Sequence, residues 1–511
     1  MPATLFHSYH GDCCVNDEGA MINKESITRI LRLGDDSADV TDVQISSDTI
    51  EVTLQKKDQV MFCPECGCRM ESKGIRVRKV NHPVMQDGYK LILHVKERKW
   101  HCRNCNFYTH DRFNFLEDYK QNTSLVPIMI VNEMKDLHVT ARQVAVRFNV
   151  SDTYVMTTFM QYVNMPRLKF TEAICVDEVH MVYDRRDLYS LVIMDFKSGQ
   201  VIDMLPNRYE STSQEYFLNI PREERAGVKY LICDMYKPYI NYVQRYFYNA
   251  IAIVDSFHVI QLIINRIRQY IRMVMKKYQE LDRKELKEKN YRNNASHKTM
   301  RESREVTYLR RYDYFLLKNH DDIDFTSGWR TSKRGNEYYF DPYVYEKNFL
   351  GLDKNFSKIR DLKELYVQFN KRHVNDPEGA SEDLNKIIDT YQNSDLSMFR
   401  EIAVTLKTYH DNIVNSFTYI SGADRKNSNE MMTRLSNGPM EGFNVLPKDL
   451  KRQSRGVSNF EYTRNRILWA TREQKPMLAI PRSREDVHTS TGKKRGPYSK
   501  QSGKQDTSLD K

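Results

Sequence analysis

No apolar run in this chain of 511 residues is long enough to span a bilayer, and its N-terminus lacks the basic-then-apolar pattern of a secretory signal. These absences exclude a membrane protein and predict a cytoplasmic location, where thiols stay reduced. The nine cysteines are therefore expected to bind metal or to lie buried, and a disulfide framework is excluded. The sequence also has no internal repeat of fixed period, which argues against a repeat architecture.

The length and charge of the chain set broad limits on its organisation and partners. A chain of 511 residues is too long for a single core, so we expect three or more domains. The 79 Lys and Arg residues exceed the 68 Asp and Glu residues and give a formal net charge of +11. This modest excess suits a partner with a negative backbone, but a basic surface alone is weak evidence for nucleic-acid binding.

Two Cys-x-x-Cys pairs predict a zinc site, and its four expected ligands are Cys63, Cys66, Cys102 and Cys105. Four thiolates suit tetrahedral zinc because sulfur is a soft ligand and zinc imposes no strong geometry of its own. Gly67 lets the backbone turn so that amide N–H groups can point at the sulfurs. The intervening segment 77–95 can form a hairpin that accounts for the long spacing between the pairs.

The remaining cysteines have simpler interpretations. Cys68 is a rival zinc ligand, but it follows Cys66 by two residues and is expected to be a bystander. Cys175 and Cys233 lie on predicted buried strands and are expected to be core residues.

Residues 139–156 have the pattern of a helix-turn-helix. Thr140 can cap the first helix, Asn149 can form the turn, and Ser151 or Asp152 can cap the second helix. The second helix would then lie in the major groove of DNA. We expect the DNA contacts of this region to come from Arg142, Thr153 and Tyr154. The alternative is a plain helical bundle, in which pairs of helices with an Asn turn also occur.

Five short apolar segments predict the strands of one mixed sheet, and they are 173–176, 188–195, 200–205, 228–233 and 250–254. Asp177 follows the first segment and Asp234 follows the fourth. In a ribonuclease H-like order, the first and fourth strands are neighbours, so these two carboxylates would converge at the carboxyl edge of the sheet. Glu441 can join them from a helix packed on that sheet.

Three carboxylates with open coordination positions predict a catalytic magnesium or manganese site formed by Asp177, Asp234 and Glu441. Two such ions about 4 Å apart activate an attacking oxygen and stabilise a leaving one. Taken singly, each acid is better interpreted as a helix cap or a solvated strand end, so the prediction depends on the set.

The chain resembles the insertion-sequence transposases of the ISL-three group over residues 40 to 470. The resemblance begins with the two cysteine pairs and the helix-turn-helix. It continues through Val176-Asp177-Glu178, Asp234-Met-Tyr-Lys-Pro-Tyr239, Asp255-Ser-Phe-His258-Val, Asn437-x-x-x-Glu441-Gly-x-Asn444, Lys451-Arg452, Gly456, Asn459-Phe460 and Arg466-Ile467. It implies a zinc-binding and helix-turn-helix region that holds transposon ends, and an acidic triad that cleaves and joins DNA strands. It also implies a helical insertion between the second and third acids.

The function that follows is a DNA transposase acting on double-stranded DNA, both transposon ends and target, with structural Zn²⁺ and catalytic Mg²⁺ or Mn²⁺. A homodimer on DNA is the natural expectation, because two ends must be paired, and the protein would be associated with the nucleoid. One alternative is a transposase-derived DNA-binding regulator, against which the intact acids argue. Another is a plain hydrolytic nuclease, which would not need so large an N-terminal DNA-reading part.

Two acids compete for the second catalytic position, since Asp234 and Asp255 both follow apolar strands. Strand order favours Asp234, because Asp255 ends the fifth strand, one position further from Asp177. We therefore expect Asp255 to help orient His258 or the metal ligands.

Pro447 departs from the family pattern in the helix that carries Glu441. Proline inside a helix costs about 3 kcal/mol or kinks it. Either the helix bends after Glu441, or Pro447 opens a new helix as its first residue. The direction in which the Glu441 carboxylate points depends on which of these two arrangements occurs.

Basic residues follow Glu441 and are expected to hold phosphates of the bound strand, the alternative being a solvated helix face. The predicted DNA contacts are Lys448, Lys451, Arg452 and Arg455, and Arg464 and Arg466 extend the same basic run. Trp329 in the helical insertion is better interpreted as a packing residue than as a platform for an unpaired base.

The expected fold class is multidomain α/β, with a ribonuclease H-like mixed sheet interrupted by an all-α insertion. The expected domains are an N-terminal segment of unknown function (1–39), a zinc-ribbon-like domain (40–118), a helix-turn-helix (119–165), the first part of the catalytic core (170–258), the insertion (259–435), the last helical part of the core (436–475) and a disordered basic tail (476–511).

Overall fold

A computed structural model describes residues 30–83, 90–181, 188–292, 303–332, 335–421, 432–454 and 459–487 of the chain, without the side chains of 289–292. The chain divides into two compact units. Of the described residues, those between 30 and 165 together with 461–487 form the first unit, and those between 166 and 460 form the second. None of the helices in the described ranges combines the length and apolar character needed to cross a bilayer.

The strands in chain order are β1 (Ala38–Ile45), β2 (Thr49–Lys56), β3 (Glu71–His82), β4 (Lys90–His101), β5 (Tyr108–His110), β6 (Ala173–His180), β7 (Tyr189–Asp195), β8 (Val201–Leu205), β9 (Tyr230–Cys233), β10 (Ile251–Val254), β11 (Gly328–Thr331), β12 (Glu337–Phe340), β13 (Tyr419–Ile420) and β14 (Thr433–Arg434).

The α-helices in chain order are α1 (Leu125–Glu133), α2 (Ala141–Arg147), α3 (Asp152–Tyr162), α4 (Glu210–Leu218), α5 (Arg222–Ala226), α6 (Lys237–Ile240), α7 (Tyr242–Arg245), α8 (Ser256–Arg292), α9 (Arg304–Arg311), α10 (Tyr314–Leu317), α11 (Pro342–Leu350), α12 (Phe356–Arg372), α13 (Pro377–Gln392), α14 (Ser397–Thr408), α15 (His410–Asn415), α16 (Gly438–Phe443), α17 (Val445–Gln453), α18 (Phe460–Thr471) and α19 (Arg484–Val487).

The sheet of the first unit has the order β1-β2-β4-β3, with β5 added to β4. Strands β2 and β4 are parallel, and the other pairs are antiparallel. The predicted pairing of segment 77–95 is confirmed, because β3 and β4 lie antiparallel within it. Strands β1 and β2 form a hairpin, since the chain turns back between Ser46 and Thr49.

Helix α18 completes the helical part of the first unit, although it lies about 300 residues further along the chain than the helices it contacts. The indole of Trp469 is buried and donates a hydrogen bond to the carbonyl oxygen of Val131 in α1. The side chain of Asn465 accepts a hydrogen bond from the backbone N–H of Met165. The first unit is therefore built from both ends of the chain.

The sheet of the second unit has the order β10-β9-β6-β7-β8. Strands β6, β7 and β8 are antiparallel neighbours, and β9 and β10 run parallel to β6. The expectation that the first and fourth strands are neighbours is confirmed by the pairing of β6 with β9. One face of this sheet packs on an aromatic core that includes Phe217, Tyr242 and Phe247.

The segment between β10 and α16 is mainly helical. Helix α8 buries Val259, Ile263, Ile267 and Ile271, which recur every four residues along one face, in a core shared with α12 to α15. The expectation of an all-α insertion is wrong in one respect, because the described part contains two small sheets, β11-β12 and β13-β14. Trp329 lies on β11 with 73% of its surface exposed, so it is not a core residue.

Candidate active site and zinc centre

The four predicted zinc ligands lie together in the first unit. The Sγ atoms of Cys63, Cys66, Cys102 and Cys105 are all within 4.8 Å of one another. The chain turns after each pair at a residue with positive φ, which is Gly67 (φ 71°) in the first knuckle and Asn106 (φ 58°) in the second. Four thiolates from two such knuckles are the donor set of a structural zinc site.

The local hydrogen bonds favour a thiolate at Cys66. The backbone N–H of Cys68 and the side chain of Asn104 donate hydrogen bonds to the sulfur of Cys66 and lower its pKa to about 6. Cys68 itself is exposed and lies outside the four-sulfur cluster, as expected for a bystander. Cys175 and Cys233 are fully buried in the second unit, which confirms their prediction as core residues.

Segment 139–156, which the sequence predicts to be a helix-turn-helix, contains the predicted caps and turn. Thr140 and Gln143 form a reciprocal capping box at the start of α2, and the side chain of Ser151 caps α3. Asn149 has φ 50° and makes the turn between the two helices. These local features agree with the expectation from the sequence.

The residues expected to contact DNA in this segment differ in exposure. Arg142 on α2 and Thr153 at the start of α3 are exposed. Tyr154 is half-buried and lines a polar cavity of about 550 Å³, together with residues such as Glu117, Asn122 and Arg484.

The pairing of β6 with β9 places Asp177 beside Asp234. Val176 is level with Cys233, the last residue of β9, so Asp177 on β6 and Asp234 just after β9 occupy the next position of each chain segment. The sequence predicted that Asp177 follows the end of the strand. Strand β6 instead continues to His180, so Asp177 lies within it. The strand is longer because Val179 and His180 still pair with β7. Glu441 is on α16, which contacts β6.

Two asparagines and a histidine contact the two aspartates. The side-chain N–H of Asn444 donates to Asp177 Oδ2 at 2.8 Å, and that of Asn437 donates to Asp234 Oδ1 at 3.3 Å. His258 Nε2 lies 2.5 Å from the same Asp234 oxygen. The sequence motif contained both asparagines, but residue type and spacing alone gave no reason to assign them a role.

Both carboxylate oxygens of Asp255 accept hydrogen bonds from the backbone. Oδ1 accepts from the N–H of Phe257 at the start of α8, and Oδ2 accepts from the N–H of Asn437 at 2.7 Å. Asp255 therefore ties the start of one helix to the residue that precedes α16.

Burial and repulsion between neighbouring carboxylates raise the pKa values of acids in the site. Burial, followed by the charge of Asp234, raises the pKa of Asp177 to about 7. Burial and then the charge of Asp255 raise the pKa of Glu441. Burial lowers the pKa of His258, but the contact with Asp234 and the other carboxylates outweigh it, so that the pKa rises overall. A site of this kind favours a bound cation.

The three carboxylates are spaced more widely than the cysteines. Among the described residues, the set Asp177, Asp234 and Glu441 does not have all its ligand atoms within 4.8 Å of one another, whereas the four cysteines do. Hard carboxylate oxygens are the ligands that magnesium and manganese prefer. Ligands spread around a pair of ions about 4 Å apart need not converge on a single point.

Pro447 lies where a proline is tolerated. Helix α16 ends at Phe443, and α17 begins at Val445, so Pro447 is the third residue of a new helix and not its first. A backbone N–H in the first turn has no partner within its own helix, so proline removes no helical hydrogen bond there. The break between the helices comes after Glu441.

Replacing Pro447 by alanine is therefore expected to leave the position of Glu441, and any cleavage that depends on it, unchanged. We expect the free energy of unfolding to fall by about 1–2 kcal/mol, because Pro447 is buried and alanine both fills less space and adds entropy to the unfolded chain. Thermal unfolding and DNA cleavage by the Pro447→Ala variant test this. A loss of cleavage at unchanged stability would show that Pro447 does set the aim of Glu441.

The basic residues after Glu441 have different surroundings. Lys448 is exposed, Lys451 Nζ lies 2.8 Å from His180 Nδ1 at the end of β6, and Arg452 pairs with Asp449. Arg455 is outside the described residues. The extension of this basic run to Arg466 is wrong, because Arg466 is 1% exposed and donates to backbone carbonyl oxygens in the first unit.

Comparison with known proteins identifies the class. Residues 174–467 match a family of transposases, and residues 59–105 match the zinc-finger of transposase IS204/IS1001/IS1096/IS1165. More particularly, the chain belongs to the ISL3 (ISL-three) group of DDE transposases, whose family model covers more than half of it. This confirms the resemblance, and the zinc-finger match together with the four-cysteine cluster supports structural Zn²⁺.

One curated relative is the transposase for insertion sequence element IS1001 of Bordetella parapertussis. It is 25% identical to this chain over 230 residues, which cover 43% of this chain and 55% of the relative. The match thus spans about half the length of each protein.

Proposed function

We propose that this protein is a DNA transposase that binds the terminal inverted repeats of its insertion sequence, then cleaves and transfers DNA strands with Asp177, Asp234 and Glu441. The observation that supports the proposal is the pairing of β6 with β9, which puts Asp177 level with Asp234 just after β9, while α16, the helix that carries Glu441, contacts β6. The strand order β10-β9-β6-β7-β8 supports a ribonuclease H-like fold for this part of the chain.

The reaction is phosphoryl transfer, with water and then a DNA 3′-hydroxyl as nucleophiles. Magnesium or manganese, when bound by the three carboxylates, would activate the attacking oxygen and neutralise charge on the leaving one. The residues of the chain position the carboxylate oxygens that would bind the ions. Asp177 and Asp234 present oxygens from the sheet, His258 holds Asp234, and Asp255 fixes the entry to α16.

DNA contacts are proposed for two regions of the chain. Arg142, Thr153 and Tyr154 would contact the transposon end, and Lys448, Lys451, Arg452 and Arg455 would hold phosphates near Glu441. Two ends must be brought together, so we infer a homodimer on DNA. We also infer that the protein acts at the nucleoid in the cytoplasm, because genomic DNA both carries the insertion sequence and is the target for its insertion.

The test of this function uses the purified protein and a plasmid that carries both ends of the element. Magnesium-dependent nicks with 3′-hydroxyls at the ends, followed by joining to target DNA, are the expected result. Nicking without joining would instead indicate a hydrolytic nuclease. Specific end binding without any nicking would support a DNA-binding regulator derived from a transposase.

We predict that end recognition resides in residues 40–165 but needs α18 for full stability. A fragment ending at Asn164 lacks Trp469 and Asn465, whose side chains donate hydrogen bonds to the carbonyl oxygens of Val131 and Val163, so it should unfold at a lower temperature than the same fragment fused to residues 459–487. Both should bind the terminal repeat when folded, with affinity falling steeply as salt rises. Equal binding to unrelated DNA at physiological salt would contradict specific reading by Thr153 and Tyr154.

A further inference from the structure

Two asparagines flank Glu441 in the chain. Asn437 immediately precedes α16 and Asn444 immediately follows it, so the three residues are spaced by four and three positions, as on one face of a helix. Both asparagines are buried, with 0% and 7% of their surface exposed. Buried asparagines need hydrogen-bond partners for both the amide N–H₂ group and the amide oxygen.

The amide N–H₂ groups have partners, and these are the two aspartates of the candidate site. Asn444 Nδ2 donates to Asp177 Oδ2 at 2.8 Å, and Asn437 Nδ2 donates to Asp234 Oδ1 at 3.3 Å. Each asparagine thus contacts a different aspartate. A carboxylate accepts hydrogen bonds and cannot donate them when ionised, so these contacts fix which end of each amide faces the aspartate.

The amide oxygens lack such partners. Oδ1 of Asn437 and Oδ1 of Asn444 are both buried, and neither accepts a hydrogen bond from any residue that the structure describes. A buried acceptor without a donor costs free energy. Two such oxygens beside the same carboxylates indicate that a donor binds there in the functional protein. Water bound to a cation is such a donor, and magnesium keeps several of its waters when it binds to proteins.

We propose that Asn437 and Asn444 are positioning residues of the metal site. Each uses its N–H₂ group to hold one aspartate and its oxygen to accept a hydrogen bond from water on the bound ion. This inference rests on the proposed function, because it requires that Asp177 and Asp234 bind a divalent cation.

A hydrogen bond to Asp255 fixes the backbone of Asn437. Asp255 Oδ2 accepts the backbone N–H of Asn437 at 2.7 Å, while the side chain of the same asparagine reaches Asp234. Asp255 therefore acts on Asp234 through Asn437. Through this connection, a carboxylate that follows β10 would position an acid that follows β9 without binding the ion itself.

The test measures manganese binding to the full chain, by titration with Mn²⁺ and detection of the free ion by electron paramagnetic resonance. We expect Asn437→Ala and Asn444→Ala each to weaken Mn²⁺ binding by about 10- to 100-fold, the usual cost of losing a group that orients metal ligands. The Mn²⁺ concentration for half-maximal cleavage should rise by the same factor. The cleavage rate at saturating Mn²⁺ should change much less, because added metal compensates for weakened binding.

Asn465→Ala is the matched control. Asn465 is fully buried, but its oxygen and its N–H₂ group both have backbone partners in the first unit. Its loss should lower the unfolding temperature and leave Mn²⁺ affinity unchanged. A purely structural role for Asn437 and Asn444 would give that same pattern and overturn the inference.

The outcomes separate this inference from the function on which it rests. Wild-type protein that binds no Mn²⁺ would contradict the metal site, and with it the proposed function. Wild-type protein that binds Mn²⁺ with the same affinity as both asparagine variants would overturn the inference alone. Weaker binding in both variants, with unchanged binding in the Asn465→Ala protein, supports it.

Discussion

Replacing Asp177 or Asp234 by asparagine, or Glu441 by glutamine, is expected to abolish magnesium-dependent cleavage while DNA-end binding remains intact. Each change keeps the size of the side chain and removes one carboxylate from the proposed metal site. Loss of a metal ligand costs catalysis orders of magnitude, because the ion both activates the attacking oxygen and stabilises the leaving one. Cleavage of an end-bearing plasmid and a gel-shift assay on the same preparations measure the two properties.

The Asp255→Asn variant is the comparison that tests the choice of second acid. Asp255 accepts backbone N–H groups with both oxygens, so it is expected to act by holding Asn437 and the start of α8. Its replacement should cost about 10- to 100-fold in rate and keep measurable cleavage. Cleavage by the Asp234→Asn variant together with a dead Asp255→Asn variant would reverse the assignment.

Unfolding of the metal-free proteins shows whether a loss of cleavage reflects damage to the fold. Burial raises the pKa of Asp177 to about 7, so ionising this carboxyl group costs more free energy in the folded state than in the unfolded chain. A carboxyl group with a raised pKa loses folding stability as pH rises from its unfolded value toward 7. At pH 8 without metal, the Asp177→Asn protein should therefore be at least as stable as the wild type.

Local sequence patterns predicted strands, buried positions and helix caps well where neighbouring residues decide the structure. The strand before Asp234 and the buried positions of Cys175 and Cys233 follow from short apolar runs. The caps at Thr140 and Ser151 follow from hydrogen bonds within one turn of helix. In each case the interaction that fixes the structure lies within a few residues, so the sequence alone contains it.

Local sequence patterns gave wrong predictions where contacts between distant segments decide the structure. Strand β6 runs past Asp177 because β7 continues beside it, and no local pattern shows where a partner strand ends. Arg466 looks like a solvent-facing basic residue in sequence, yet it is buried where its guanidinium satisfies the carbonyl oxygens of Asp136 and Val139. The asparagines on either side of Glu441 contact the aspartates only because the fold brings these distant segments together.

Removing zinc is expected to unfold the region around the four cysteines. The hydrophobic core there is small, since its buried members are Cys63, Met70, Trp100 and Cys102. Structural zinc contributes about 10–16 kcal/mol in small modules, which is comparable to the whole stability of a domain of about 5–15 kcal/mol. Without the ion, four thiols and two apolar side chains cannot maintain the fold of the two knuckles.

Trp100 reports this unfolding, because it is buried in the same core and its indole N–H donates to Asp111 Oδ1 at 2.8 Å. Chelation of zinc, or the Cys66→Ser change, should shift its fluorescence to longer wavelength and release end DNA. Cys68→Ser is the matched control, since Cys68 lies two residues away but outside the cluster, and this variant should retain one zinc per chain. Protein purified without chelator that holds its cysteines reduced and yet contains no zinc would rule out the site, because four reduced thiols at this separation bind the ion tightly when it is present.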